Sequence, residues 1–323
     1  MIVTYSRNVF IPLTRSCRNK CWYCGFRVEN ADLMDRDSIK MLLERARGAK
    51  EALFTFGERP DQLNPEMKKI LRALGYSELL DYVVDMNKLA IALGFLPHTN
   101  AGVLEKSELL KLKPFNASLG LMLEQAVELE CHSESPGKKP ELRIRTIRTA
   151  GKLKIPFTTG ILVGIGEKEY ERAYSLEVIA ELHKEFGHIQ EVIIQNFKPK
   201  KGTKMENFPE PTTEEMLKTV RLARQILPKD VAIQIPPNLV NDIYPFLKAG
   251  ANDLGGISEV TPDYINPEAN WPSIEQIKKA LRGEFVLRER LPVYPKFVKL
   301  KLFGSAVSEL IEVYSDDDGY CRS

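Results

Sequence analysis

An excess of charge of either sign is missing from this sequence. Its 323 residues contain 46 Lys and Arg against 44 Asp and Glu, which gives a formal net charge of +2 at pH 7. Proteins that bind nucleic acids or anionic membranes through electrostatics carry a strongly basic surface. The balance of charge therefore indicates neither kind of partner.

Long apolar runs and paired cysteines are also missing. No stretch is long enough to span a bilayer, and residues 1–7 lack the apolar core of a secretory signal peptide. Five cysteines in such a chain are typical of a reducing compartment and do not indicate disulfides. With 43% hydrophobic and 28% charged residues, the composition is that of an ordinary globular protein. We predict that it is cytoplasmic.

Three of the five cysteines lie in one short run, C-R-N-K-C-W-Y-C, which contains Cys17, Cys21 and Cys24. An iron–sulfur cubane is normally held by four thiolates, one for each iron, whereas this C-x3-C-x2-C run supplies three. A metal position without a protein ligand is typical of a catalytic site. The run therefore predicts a 4Fe–4S cluster with one iron free to bind a reactant.

Two other interpretations of the run are less well supported. Its spacing of i, i+4 and i+7 would place three buried cysteines on one face of a helix, but polar residues surround the run and no apolar stripe continues it. A structural zinc site needs a fourth ligand. The remaining candidates are all distant in the sequence: Cys131, Cys321, His98, His132, His183 and His188.

Short β-rich segments alternate along the chain with segments of helical periodicity. This order favours parallel strands joined by helices, and a barrel of eight such units occupies roughly 250 residues. We therefore predict an α/β fold, a TIM-type (β/α)8 barrel over residues 1–275, with a C-terminal extension, 276–323, packed on the barrel. The predicted strands span 9–13, 52–56, 95–99, 117–123, 157–163, 191–197, 231–235 and 251–256, and the predicted helices span 37–46, 107–113, 142–153, 167–186, 213–226 and 239–249.

A barrel of this type carries its active site on the loops that follow the C-terminal ends of the strands. The cysteine run comes directly after the first predicted strand, where irregular backbone has room to enclose a cluster. Most other predicted strands also end in polar residues or glycine, as at Gly57-Glu58 and Gln195-Asn196. The sequence therefore predicts one site at this end of the barrel.

The cysteine run, with the aromatic Tyr23 directly before Cys24, resembles the signature of the radical S-adenosylmethionine (SAM) superfamily. The resemblance implies that the open iron binds the amino and carboxylate groups of SAM. It also implies that the reduced cluster breaks the S–C5′ bond and releases a 5′-deoxyadenosyl radical. Tyr23 is then expected beside the cofactor, in the superfamily's (β/α)8 barrel.

Two further segments resemble the superfamily. Phe56-Gly57-Glu58 is similar to its glycine-glycine-glutamate segment after strand two, with Phe in place of the first glycine, and Gly57 would let the backbone approach the SAM ammonium. Residues 160–167 are similar to the G-x-I-x-G-x-x-E segment on strand five, which implies that Ile165 helps to hold the adenine. An ordinary turn at Gly57 and Glu58, and a charge at a helix start for Glu167, are the alternatives.

Analogy with related barrels implies two more contacts to SAM. An acidic residue after strand four, here Glu124, binds the ribose hydroxyls. An arginine from the next helix pairs with the methionine carboxylate, a task for which a guanidinium fork is better suited than an ammonium. We assign this role to Arg143, with Arg145 as the alternative, because the chain has Pro140 where relatives carry the arginine.

Longer segments resemble the CofG family of FO synthase subunits, and together they extend over nearly the whole chain: 6–15, 17–27, 54–60, 118–124, 156–160, 187–197 and 252–272. This resemblance implies a step in the biosynthesis of coenzyme F420. A partner enzyme, CofH, joins the hydroxybenzyl group of tyrosine to 5-amino-6-(D-ribitylamino)uracil. The CofG-type enzyme then forms 7,8-didemethyl-8-hydroxy-5-deazariboflavin (FO) by hydrogen abstraction, ring closure with oxidation, and loss of ammonia.

An electron donor such as ferredoxin or flavodoxin is implied as well, because the cluster must be reduced. Two alternatives to the CofG-type reaction stay open at this point. One is a CofH-type radical SAM transferase that cleaves tyrosine, and the other is a non-enzymatic iron–sulfur electron carrier.

A substrate with a uracil ring and a ribityl chain needs hydrogen-bond partners inside a dry cavity, because an unpaired buried polar atom costs about 1 to 3 kcal/mol. Six residues at predicted strand ends are candidates: Thr99, Asn100, Gln195, Asn196, Asn252 and Asp253. The competing explanation is that half of them bind neighbouring backbone. The sequence predicts no catalytic acid or base and assigns no role to Cys131 or His132, and His188 is expected to pack at the opposite end of the barrel.

Overall fold

Eight parallel strands form the barrel of the computed structural model, which describes residues 1–46 and 48–322. They are β1 (Ile2–Ile11), β2 (Glu51–Thr55), β3 (Leu96–Asn100), β4 (Ser118–Gly120), β5 (Phe157–Val163), β6 (Ile189–Asn196), β7 (Ala232–Gln234) and β8 (Asp253–Ile257). The strands lie side by side in sequence order, and β1 pairs with both β2 and β8, which closes the ring. The predicted α/β barrel is confirmed, and every predicted strand overlaps an observed one.

Helices connect the strands: α1 (Arg36–Arg45), α2 (Pro60–Leu63), α3 (Pro65–Ala73), α4 (Leu79–Ala92), α5 (Lys106–Leu112), α6 (Pro140–Lys152), α7 (Glu169–Phe186), α8 (Thr213–Ile226) and α9 (Tyr244–Ala249). Five of the predicted helices agree with these bounds to within two residues, and the one predicted from residue 239 begins later, at Tyr244. Helices α2 to α4 lie where no helix was predicted. Nine residues of α4 are buried, so its sequence shows little of the amphipathic pattern that identifies a surface helix.

Strand β1 begins seven residues earlier than predicted because its inward face is polar. Ser6, Asn8 and Phe10 line the barrel interior, whereas Val3 and Val9 belong to the main apolar core. Alternate residues of a strand point to opposite faces, so a polar interior gives the first half of this strand a mixed pattern. The pattern that hid the strand is therefore the one that places the polar side chains of Ser6 and Asn8 in the barrel interior.

Strand β4 ends three residues earlier than predicted because its pairing with β5 becomes irregular after Gly120. The N–H of Leu121 donates to Thr158 O, and the N–H of Glu124 donates to Gly160 O. The segment that continues β4 therefore advances three residues while β5 advances two, which is a β-bulge. Glu124 itself has a left-handed φ of 65°. The bulge turns the Glu124 side chain into the barrel cavity.

The C-terminal segment closes the end of the barrel where the strands begin. Its elements are α10 (Ile274–Ala280), β9 (Val286–Glu289), α11 (Pro295–Lys299) and α12 (Ser308–Tyr314), and β9 pairs in parallel with the start of β1. Pro292 O accepts hydrogen bonds from Ser118 Oγ at 2.6 Å and from Gln190 Nε2 at 3.0 Å. The division at residue 275 stays a prediction, because β9 shares the sheet with the barrel. None of the described helices is both long and apolar enough to cross a membrane.

Candidate functional site

A cavity of about 410 Å³ occupies the interior of the barrel. At the end where the strands finish, it is lined by Cys17, Cys21 and Cys24 of the loop after β1. Glu58 and Glu124, which follow β2 and β4, line the same cavity. The structure thus brings residues that are far apart in the sequence to one place, as expected for the C-terminal face of a parallel barrel.

Two neighbouring segments hold the cysteine loop through backbone hydrogen bonds. On one side the N–H of Gly57 donates to Thr14 O at 2.8 Å, and the N–H of Arg18 donates to Glu58 O at 2.9 Å. On the other side the N–H of Trp22 donates to Cys131 O at 3.1 Å. The loop is therefore fixed between the turn after β2 and the segment that follows β4.

The cysteine sulfurs face hydrogen-bond donors. Cys17 Sγ accepts from the N–H groups of Asn19 at 3.4 Å and Glu58 at 3.2 Å, and Ser135 Oγ donates to Cys21 Sγ at 3.3 Å. Burial raises the pKa of the Cys17 and Cys24 thiols, while the backbone donors at Cys17 act in the opposite direction. Donors aimed at sulfur favour the thiolate, which is the form that binds iron. The three residues fit an iron–sulfur cluster.

Gly57 is required by the close approach of two backbone segments. A Cβ atom at this position would lie 1.9 Å from Ser16 O and 2.8 Å from Cys17 Cβ. Only glycine leaves room for the turn after β2 to contact the cysteine loop this closely. The Gly-Glu pair in the sequence is therefore more than an ordinary turn.

Glu58 is 4% exposed and joins three parts of the site. Its carboxylate accepts from Arg18 Nε at 2.7 Å in the cysteine loop and from the Val103 N–H at 3.1 Å in the loop after β3. Arg143 of α6 lies 3.9 Å away. In this structure the side chain positions the loops around the cavity.

Glu124 is paired with a residue that sequence reasoning missed. Its carboxylate bonds to the ammonium of Lys138, which is partly buried and also lines the cavity. Burial favours the neutral carboxyl, but the charges of Lys138 and Arg143 outweigh it and lower the pKa of Glu124. Lys138 lies just before α6 without any motif around it, so nothing in the sequence distinguished it from a solvated lysine.

The two arginine candidates have different surroundings. Arg143 is 3% exposed, lines the cavity, and donates to the backbone oxygens of Gly137, at 3.0 Å, and Met122. Arg145 pairs with Glu105 at 2.6 Å with half of its side chain exposed to solvent. Only Arg143 is placed to meet a ligand in the barrel.

Tyr23 lines the cavity, and its hydroxyl group contacts His132, which lies outside the cavity lining. Its hydroxyl lies at hydrogen-bond distance, 2.8 Å, from His132 Nε2, and burial lowers the pKa of His132 to about 3. Ile165 is buried in a small apolar cluster with Tyr23 and Cys131, and does not itself line the cavity. His188 packs beside Phe157 and Phe186 and donates to Ile147 O at 3.0 Å, which confirms its predicted packing role.

The six predicted substrate residues divide into two groups. Asn100, Gln195 and Asn196 line the cavity. Thr99, Asn252 and Asp253 lie outside its lining and bond within the protein, with Thr99 to Asn116, Asn252 to the Ile233 N–H, and Asp253 to Arg290. Asn252 and Asp253 were expected at a strand end, but they lie at the start of β8, near the floor of the barrel, whereas Thr99 does lie near the end of β3 and faces away from the cavity.

The deeper part of the cavity contains ionisable residues that the sequence did not reveal. Glu51, Glu191 and Arg290 line it, all of them buried. Arg290 donates to Asp253 from Nε at 2.7 Å and from Nη2 at 3.0 Å, and lies 3.4 Å from Glu191. Burial raises the pKa of Glu191 to about 8, an effect that Arg290 opposes. Arg290 comes from the C-terminal segment, so this group exists only once both ends of the chain have met.

The contacts of His98 in the deeper part of the cavity determine that its Nδ1 carries a proton. Ser118 Oγ donates to Pro292 O, so it must accept from His98 Nδ1, 2.6 Å away. Burial lowers the pKa of His98 to about 4. Asn100 Oδ1 lies 3.2 Å from His98 Nε2, and Asn100 Nδ2 donates to Thr55 Oγ1 at 3.1 Å.

This arrangement, a parallel barrel with three cysteines and a charged pocket at its C-terminal face, defines a class. The sequence profile described as "Radical SAM superfamily" matches residues 11–179, and the chain belongs to that superfamily, whose members in general use SAM and a 4Fe–4S cluster. The HydG maturase structure from Carboxydothermus hydrogenoformans aligns with a TM-score of 0.67 at 17% identity, covering 97% of this chain and 78% of HydG, and it shows the shared fold.

Two curated relatives narrow the family. The 7,8-didemethyl-8-hydroxy-5-deazariboflavin synthase of Archaeoglobus fulgidus is 68% identical over 321 residues, covering 99% of each chain. The protein of the same name from Methanococcoides burtonii is 56% identical over 326 residues, covering 99% of this chain and 98% of its own. The chain belongs to the 7,8-didemethyl-8-hydroxy-5-deazariboflavin synthase family.

Proposed function

We propose that this protein is a radical SAM enzyme that forms FO from the hydroxybenzyl adduct of 5-amino-6-(D-ribitylamino)uracil, releasing ammonia. The observation that carries the proposal is the 68% identity to a synthase of this name over 99% of both chains. An alignment that covers 99% of both chains extends over the segments that form the cavity walls and the C-terminal floor as well as the cysteine run. The cavity, closed at its floor by Arg290 and Pro292, suits a reaction that must exclude water.

Cys17, Cys21 and Cys24 are the proposed ligands of a 4Fe–4S cluster. When bound, the cluster and SAM supply a 5′-deoxyadenosyl radical that removes a hydrogen atom from the substrate. Gly57 allows the turn after β2 to pack against the cysteine loop. Glu58 bonds to Arg18 of the cysteine loop and to Val103 of the loop after β3, and so fixes the two loops relative to each other. These residues would hold the cluster at the end of the cavity where the strands finish.

The proposed SAM contacts are Tyr23, Gly57, Glu58, Glu124, Arg143 and Ile165, to which the structure leads us to add Lys138. Glu124, kept ionised by Lys138 and Arg143, offers a carboxylate to the ribose hydroxyls. Lys138 and Arg143 supply two cations on this wall beside Glu124 and Glu58, and a guanidinium or ammonium there suits the carboxylate of the methionine group. Ile165 contributes by packing behind Tyr23.

Asn100, Gln195 and Asn196 are the proposed substrate contacts among the predicted residues, because their side chains line the cavity. Thr99, Asn252 and Asp253 support the wall from behind. The substrate is the product of CofH, which is the functional partner, and an acidic electron carrier such as ferredoxin or flavodoxin is the proposed reductant. We keep the cytoplasm as the proposed location.

The test is a product assay on the anaerobically reconstituted protein with SAM, a reductant and the synthetic adduct. We expect fluorescent FO together with 5′-deoxyadenosine, and neither from the matched Cys21→Ala protein. The proposal fails if FO does not appear although cluster, SAM and adduct are all verified. A parallel reaction with tyrosine and the diaminouracil in place of the adduct tests the CofH-type alternative, which consumption of tyrosine would support.

A further inference from the structure

Two glutamine side chains of the barrel interior form no hydrogen bond with another described residue. Gln195 of β6 and Gln234 of β7 both line the cavity, and each keeps part of its surface exposed although it points into the barrel. Asn100, on the same cavity wall as β3, donates to Thr55, so its amide is already in use. The two glutamine amides are instead open to a molecule in the cavity.

The two glutamines lie on neighbouring strands at similar depth. Gln234 pairs in register with Ile193 of β6, and Gln195 is two residues further along β6, on the same inward face. Residues in this diagonal relation lie about 7–8 Å apart, within the common reach of long side chains. One small ring can therefore contact both amides.

Gly255 of β8 makes room for the Gln234 amide. A Cβ atom at position 255 would lie 2.2 Å from Gln234 Nε2 and 2.6 Å from its Cδ. The φ of Gly255 is 71°, a left-handed value that favours glycine. The amide thus rests against the backbone of the next strand, which restricts its movement before a ligand binds and lowers the entropic cost of binding.

Two apolar side chains expose surface to the same cavity from opposite walls. Leu53 of β2 and Ile193 of β6 both line the cavity, and both are partly exposed. Strands β2 and β6 are four positions apart in the closed ring of eight, so the two side chains lie on opposite sides of the barrel. Apolar groups around the ligand and a few polar groups at its edge are typical of a site for a ring with polar substituents.

We infer that Gln195 and Gln234 bind the edge of the pyrimidine ring of the substrate, with Leu53 and Ile193 against its faces; the inference rests on the proposed function. Each amide offers a donor and an acceptor, and the pyrimidine edge offers an N–H group between two C=O groups. The hydroxybenzyl ring offers one hydroxyl, which is too few for two amides. The ribityl chain offers several hydroxyls but no ring faces for the apolar side chains.

The experiment measures binding of FO to the reconstituted protein by its fluorescence, for the wild type, Gln195→Met and Gln234→Met. Methionine keeps the length of the side chain and removes the amide. We expect each substitution to lower the affinity for FO about 3- to 10-fold, the effect of one lost hydrogen bond. The melting temperature of the free protein should not fall, because neither amide bonds to a described residue, whereas a purely structural role would lower it.

A control variant and a second ligand complete the design. Gln225→Met is the matched control, since Gln225 lies on α8 and is exposed to solvent, and its FO affinity should equal that of the wild type. A deazaflavin with a methyl group in place of the ribityl chain separates the two sources of polar groups. With this ligand both cavity variants should still bind more weakly than the wild type. If the difference disappears, the contacts belong to the ribityl chain and the inference is overturned.

The inference and the proposed function fail in different ways. If the wild type forms FO while either cavity variant binds it within twofold of the wild type, that glutamine does not contact the ligand and the inference alone is overturned. If the wild type neither forms nor binds FO, the proposed function is overturned, and the inference with it.

Discussion

At the scale of single residues, the roles of the side chains in the site differ from the roles that the sequence motifs suggest. Glu58 belongs to a motif associated with SAM, yet its carboxylate is occupied by Arg18 and the Val103 N–H. Lys138 belongs to no motif, yet it lines the cavity and pairs there with Glu124. A residue's chemistry here follows from what surrounds it.

Replacing Cys21 with Ala is expected to abolish cluster assembly, because one iron loses its ligand and the donor from Ser135 loses its acceptor. Iron and sulfide analysis after anaerobic reconstitution, with the visible absorbance, is the measurement. Cys321→Ala is the control and should retain about four irons per chain. Full iron content in Cys21→Ala would contradict the assignment.

Glu124→Gln is expected to leave the cluster intact and to weaken SAM binding roughly tenfold or more, since charge-assisted hydrogen bonds contribute about 1.5–3 kcal/mol. Titration of SAM by calorimetry measures the change. Glu130→Gln, at an exposed position in the segment after β4, should bind SAM like the wild type. An unchanged dissociation constant in Glu124→Gln removes this residue from the site.

At the scale of elements, two irregularities build the site. The bulge in β4 brings Glu124 into the cavity, and the turn after β2 touches the cysteine loop through Gly57. Regular strands would have carried both segments past the cavity. Irregular backbone next to an active site is a frequent use of bulges and glycines.

Gly57→Ala is expected to displace the cysteine loop, because its Cβ would lie 1.9 Å from a backbone oxygen that no side-chain rotation can move. We predict loss of most of the cluster and a lower melting temperature. Gly202→Ala is the control: its φ is 78° but the space around it is open, so it should cost only the left-handed penalty of about 1 kcal/mol and keep its iron. Normal iron content in Gly57→Ala would show that the close approach is not needed.

At the scale of the whole molecule, the floor of the cavity joins the two ends of the chain. Thr4 of β1 and Arg290 of the C-terminal segment both bond to Asp253. A second apolar cluster, which includes Leu291, Phe297 and Ile311, packs beneath them. The C-terminal segment therefore acts as part of the barrel.

Arg290→Met is expected to lower the free energy of unfolding by about 3–5 kcal/mol, because it leaves the carboxylate of Asp253 buried without its cation. Urea denaturation measures it. Arg288→Met is the control, since Arg288 forms partly exposed pairs with Asp316 and Asp318 and should cost no more than about 1 kcal/mol. Equal losses in the two variants would refute a structural role for the buried cation.

Stability should also depend on pH through Glu191. Its folded pKa of about 8 lies above the ordinary value of 4.5, so between these limits the folded state binds the extra proton and stability falls as pH rises. His98 and His188, with pKa values lowered to about 4, affect stability only below their ordinary 6.5. From pH 6.5 to 8 the unfolding free energy should therefore decrease, by at most about 1.4 kcal/mol per pH unit. In Glu191→Gln the slope should be smaller, and an identical slope would contradict the raised pKa.

Much of the architecture was predictable from the sequence alone because it depends on local patterns. Alternation of β-rich and helical segments predicted the eight strands, and the spacing of Cys17, Cys21 and Cys24 predicted a cluster with an open iron. Side chains that line the cavity beside short motifs, such as Glu124 and Arg143, followed from the resemblance. Each of these features depends on residues that are close together in the sequence.

Only the tertiary structure decided which polar residues face the cavity and what holds them. Thr99 and Asn100 are adjacent, yet Thr99 bonds to Asn116 behind the wall and Asn100 lines the cavity. Lys138 against Glu124 and Arg290 against Glu191 depend on contacts between segments distant in the chain. The sequence by itself determined the barrel and the grouping of the three cysteines, because periodicity and spacing are local. The pocket around these cysteines was decided by long-range packing, because burial and pairing are properties of the closed barrel.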